Sequence, residues 1–138
     1  MPTHFAFLLV PEFSHIAFSC AVEPLRIANL LSNETLYEWS YISETGEPAI
    51  CSNGSATLVH HSFDDIPRAD RLFVLSGIHM DRHVTPKLLA LLRKERAKGA
   101  QFGGLCSGAL IFAQAGFLNG QRAAIHWEFH DGFIEDYP

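Results

Sequence analysis

The chain has 138 residues, enough for one domain and too few for a second of ordinary size. Apolar residues make up 48% and charged residues 18%, so a buried core is expected and disorder is not. The net charge of -5 repels phosphate backbones, which places any DNA contact outside this segment.

The longest early apolar run, Phe5 to Val10, is stopped by Pro11 and is too short to cross a bilayer. No basic leader accompanies it, so no membrane role is expected. Cys20, Cys51 and Cys106 are odd in number and share no CxxC spacing. They imply neither a disulfide framework nor a zinc site, and a reducing cytoplasm is the expected location.

Residues 5 to 10 predict a buried strand. Ser14 is a candidate N-cap for a helix reaching about Leu31, on which Ile16, Cys20, Ile27 and Leu31 form one stripe. That stripe is expected to enter the core, and Glu23 falls on it beside Pro24, where a kink is expected. Tyr37 to Ser43 reads as a second strand. Asn53-Gly54 signals a hairpin between Ala49–Cys51 and Ala56–His60. Arg71 to Ser76 is another buried strand, with Gly77 at its carboxyl end. Thr85 as N-cap and Pro86 at the first position open a helix with Leu88, Leu89 and Leu92 inward. Arg93, Lys94, Arg96 and Lys98 read as its solvated face. Ala100 to Leu105 predicts a short strand and Ser107 to Ala115 an apolar helix. Asn119-Gly120 then turns into Arg122–His126, and a last helix begins near Trp127.

Alternating helices and continuous apolar strands predict an α/β sandwich, a mostly parallel sheet covered on both faces. The sequence stops at Asp136-Tyr137-Pro138 without a closing element, so the domain is expected to be incomplete at its C-terminus. Such a truncation would expose apolar surface, so the chain is expected to be a fragment or to hide that surface by self-association.

Gly103-Gly104-Leu105-Cys106-Ser107-Gly108-Ala109 contains G-x-C-x-G between a predicted strand and a predicted helix. That is the context of a nucleophile elbow, where flanking side chains would clash in the tight turn. The helix after Cys106 would favour its thiolate. The competing reading is a small core cysteine whose glycines only permit close packing.

The GGLCSGA turn, Gly116–Gly120, Ala124–Glu128 and Ala21–Asn29 together resemble the ThiJ/PfpI group of class I glutamine amidotransferase-like domains. Within it they most resemble the N-terminal domains of AraC-type transcription regulators, over essentially the whole chain. The resemblance implies a flavodoxin-like fold with a pocket at Cys106, Glu23 and the Gly77–Ile78 segment, and places His126 in a His-Trp pair. Ser107 stands where hydrolytic relatives commonly carry histidine, which weakens a catalytic role for Cys106. It further implies a helix-turn-helix domain downstream, outside this chain, through which alone DNA would be bound.

The expected ligand set is therefore Cys106, Glu23, Gly77, Ile78, Ser107, His126 and Trp127. Glu23 either hydrogen-bonds the Cys106 sulfur across the pocket or turns to solvent beside Pro24. His126 is either a base for Cys106 or a structural and ligand-contacting histidine. His126 and His130 have a four-residue spacing seen in metal sites, and His60, His61, His79 and His83 add candidates, but HWEFH is not HExxH. No metal and no cofactor is expected. The leading expectation is a sensor of a small nitrogenous effector, an amino acid or quaternary amine, working as a homodimer. The rival is a cysteine hydrolase, amidase or glyoxalase-like enzyme using Cys106 with His126 and Glu23.

Overall fold

The computed structural model describes residues 1–124 and 130–137. In chain order these form β1 (Thr3–Leu9), α1 (His15–Ser32), β2 (Tyr37–Ile42), β3 (Ala49–Ile50), β4 (Ala56–Thr57) and β5 (Arg71–Leu75). A 3-10 turn (Met80–Arg82), α2 (Pro86–Ala97), β6 (Gln101–Leu105), α3 (Gly108–Gln114) and α4 (His130–Asp136) follow. Arg122 to Ala124 adopt no strand, and the rest of the segment expected to continue it lies outside the described residues.

Four strands pair in the order β2-β1-β5-β6, and every pairing is parallel. Alternate residues of β1 serve opposite faces, as the pleat requires. Ala6, Leu8 and Val10 join Leu72 and Val74 under α2 and α3, whose Leu88, Leu91, Leu92, Leu110 and Ile111 complete that layer. Phe7 and Leu9 join Leu75 on the other face, beneath α1 and the β3–β4 hairpin. There Phe73 lies 5.8 Å from both Phe5 and Phe7 in stacked geometry. The continuous apolar run in β1 is thus explained by burial on both sides. The hairpin forms its own two-stranded sheet, with Gly54 at φ 88° in the turn that Asn53-Gly54 signals.

Both helix starts fall where the sequence puts them. Ser14 Oγ accepts from Ala17 N, and Thr85 Oγ1 accepts from Leu88 N, each capping an otherwise unpaired donor. The buried face of α1 is a correction. Ile16, Ile27 and Leu31 are 74%, 41% and 81% exposed, and Cys20 and Glu23 are also exposed. Phe18, Ala21, Val22 and Leu25 face the sheet instead. These residues also follow helical spacing, so the helix carries two apolar stripes. The aromatic one fits the Phe-rich surface of β1 and β5. On α2, Arg93, Lys94 and Lys98 are solvated as expected, while Arg96 also lies over the Phe117 ring, 4.5 Å from its centre.

Candidate ligand-binding site

The chain runs outward from β1 to β2, then returns to place β5 on the other side of β1. The crevice between the carboxyl ends of β1 and β5 is therefore a topological switch point, the usual ligand position in an open parallel sheet. Backbone ties close round it. Val10 N donates to Leu75 O at 3.0 Å, and Ser14 N donates to Ser76 O at 3.3 Å. Ser107 Oγ, fully buried, donates to Gly77 O at 2.7 Å. The end of β5 is thereby fastened to the start of α1 and to the turn after β6.

That turn holds Cys106 at φ 57°, a left-handed conformation costing a non-glycine residue about 1–3 kcal/mol. Its neighbours show why the glycines are there. A Cβ on Gly108 would lie 2.6 Å from Val74 O, and one on Gly104 would lie 2.8 Å from the Gly108 carbonyl carbon. Gly103 serves packing rather than the turn, because the Phe73 ring occupies the space where its Cβ would stand, 2.2 Å away. The elbow expected from the motif is present in its backbone.

Cys106 is half-buried and opens into a cavity of about 310 Å3 shared with Ser14, Ile16, Ala17 and Cys20. Glu23 does not line this cavity. It sits further along α1, half-exposed and paired with the Arg26 guanidinium, whose pKa that pairing raises. The residues that α1 brings to the cysteine are small or apolar, with a capping hydroxyl already engaged at Ala17 N. Gly77 does not line the cavity, and its carbonyl accepts the Ser107 bond. A Cβ there would stand 2.2 Å from Glu12 O, so the two loops approach closer than any side chain permits. Ile78 is 56% exposed, and Ser107 acts through its bond to Gly77 rather than by capping α3. Ser76 Oγ, beside Gly77, is buried without a hydrogen-bond partner among the described residues. His126 and Trp127 lie outside the described residues.

A second cluster forms at the same strand ends, where His79 and His83, already candidates by type, meet a carboxylate that nothing along the chain singled out. Glu12, itself at φ 65°, sets its carboxylate between two imidazoles: Oε1 is 3.2 Å from His79 Nδ1 and Oε2 is 2.7 Å from His83 Nε2. The His83 hydrogen bond, followed by that to His79, holds the Glu12 pKa below its ordinary value of 4.5. His60 instead stacks on Tyr41, and His61 pairs with Asp65. Among the described residues, no three His, Cys, Asp or Glu side chains converge as a metal site.

With this geometry, the comparisons with known proteins are specific. The DJ-1/PfpI family matches residues 5–136, and the chain belongs to that family. It is 42% identical over 138 residues, all of this chain, to the HTH-type transcriptional regulator CdhR of Pseudomonas aeruginosa, covering 41% of that protein. It is 34% identical over 137 residues to the HTH-type transcriptional regulator GbdR of the same species, covering 99% of this chain and 37% of that one. The chain thus spans about two-fifths of the length of these relatives. Among solved structures, an AraC family transcriptional regulator from Pseudomonas putida superposes with a TM-score of 0.86 at 28% identity, covering 99% of this chain and 74% of that one. The flavodoxin-like α/β fold and the regulator-type family domain follow from these matches. Among the described residues no helix is long and apolar enough to cross a membrane.

Proposed function

We propose that this chain is the ligand-sensing domain of an AraC-type transcription regulator of the cytoplasm. A small nitrogenous metabolite occupies the switch-point site, and DNA is bound by a helix-turn-helix domain outside this chain. The carrying observation is the similarity to regulators along the whole chain, joined to a cavity that opens on the strained Cys106 turn. The wall beside Cys106 is mostly apolar and open to solvent, suited to contact with a ligand's alkyl part. Gly77, Ile78, Ser107, His126 and Trp127 complete the proposed ligand set with Cys106, and Glu23, paired with Arg26 off the cavity, stands outside it. The ligand acts by favouring one arrangement of a homodimer over another, which requires unequal affinity for the two.

A thermal-shift screen of the intact protein against amino acids and quaternary amines tests this reading. A true effector at a hundredfold excess over its Kd stabilises the protein by about 2.7 kcal/mol, and Ala17→Trp, which fills the cavity, abolishes the shift. No stabilisation by any member of either class rejects the nitrogenous effector. The second reading, a cysteine hydrolase, amidase or glyoxalase-like enzyme, draws on the left-handed Cys106 backbone. It requires turnover that Cys106→Ala removes.

A further inference from the structure

The cavity beside the elbow is lined by two thiols. Cys106 enters from the turn between β6 and α3, and Cys20 enters from the second turn of α1. Their meeting is built into the fold. Ser14 N is bonded to Ser76 O at the end of β5, and Ser107 Oγ to Gly77 O one residue further on. Cys106 directly precedes Ser107, and Leu105 before it is in register with Leu75. The first turns of α1 and the elbow are therefore fastened to consecutive residues of one strand end. Residues 16, 17 and 20 share a helix face, and all three line the cavity with Cys106. Cys20 is exposed and Cys106 half-buried, so small solutes reach both. The third cysteine is set apart: Cys51 is buried, with its Sγ donating to Asn53 Oδ1.

We propose that Cys20 and Cys106 are the two halves of a reversible intramolecular disulfide, formed by hydroperoxides and opened by cellular thiols. One thiolate attacks the peroxide O–O bond, taking up one oxygen as a sulfenic acid and releasing hydroxide, or an alkoxide from an organic hydroperoxide. The second thiolate attacks that sulfur, forming the S–S bond and expelling the oxygen as water. The two thiols lose two electrons, and the peroxide takes them up. The bond draws the α1 side of the cavity onto the elbow, so oxidation and occupation of the cavity exclude one another.

The experiment is peroxide titration of the intact protein, alkylation of the remaining thiols, and tryptic mapping without reductant. Cys20, Cys51 and Cys106 fall in separate peptides, Met1–Arg26, Ile27–Arg68 and Gly99–Arg122. A linkage of the first to the third, within one chain and reversed by dithiothreitol, is the expected result. In Cys20→Ser or Cys106→Ser the partner cysteine is left as a sulfenic acid, and dimedone labelling of it rises several-fold over the parent. Cys20→Ser alters an exposed position, so a folding defect does not obscure that readout. Over-oxidation of Cys106 while Cys20 remains a thiol overturns the proposal. So does a Cys20–Cys20 linkage between two copies.

Discussion

At the scale of single residues, Glu12 shows how much the site depends on contacts invisible along the chain. Its partners are His79 and His83, 67 and 71 residues away. Because its folded pKa lies below the unfolded value, Glu12 contributes stability above the ordinary carboxylate range. That contribution disappears as pH falls through the folded value. Glu12→Gln is therefore expected to lower stability at neutral pH and to leave it unchanged once both states are protonated. Urea unfolding at about pH 7 and about pH 3 checks the sign, and an equal loss at both would show that the carboxylate charge is not involved. Cys106 is the opposite case. Its backbone strain was legible because flanking glycines, a preceding strand and a following helix are all local signals, and Gly104 and Gly108 prove to have backbone within reach of any Cβ.

At the scale of elements, one side chain of α1 makes three hydrogen bonds at the head of β2. Asn29 Nδ2 donates to Tyr37 O at 2.9 Å, and its Oδ1 accepts from Leu36 N and Tyr37 N at 2.8 and 3.0 Å. Asn29→Ala removes all three bonds and is expected to cost about 2 kcal/mol, read from the denaturant midpoint at unchanged m-value. The order of the elements and the caps of α1 and α2 could be read in the sequence, since caps and continuous apolar strands are local, whereas the second hairpin strand ends at Thr57 rather than His60. Which face of α1 packs could not. Phe18, Ala21, Val22 and Leu25 keep helical spacing as well as Ile16, Cys20, Ile27 and Leu31 do, and only the phenylalanines of the opposing sheet decide between them. The outward turn of that stripe brings Cys20 to the cavity at Cys106, while Glu23, one turn further along, does not line it. The stripe had singled out Cys20, but as a core residue.

At the scale of the whole molecule, the outward stripe of α1 remains as apolar surface. Leu30 and Leu31 are 69% and 81% exposed, and Ile16 at the other end is 74% exposed. The proposed homodimer gives this surface a partner. Leu30→Glu with Leu31→Glu is then expected to convert a dimer to a monomer with the fold retained, as read by light scattering and circular dichroism. A parent protein that is already monomeric, or a double variant that stays dimeric, would remove α1 from the interface.

The ties at the strand ends have a mechanical consequence. With 18 residues rising 1.5 Å each, α1 is a rod of about 27 Å, tied at its start by the Ser14–Ser76 bond and near its far end by the three bonds of Asn29 to Leu36 and Tyr37. The cavity touches it close to the first tie, at Ile16, Ala17 and Cys20. A rod held at both ends works as a strut, so a load applied beside the cysteine is carried to the head of β2, about 18 Å along the axis from Ala17 to Asn29.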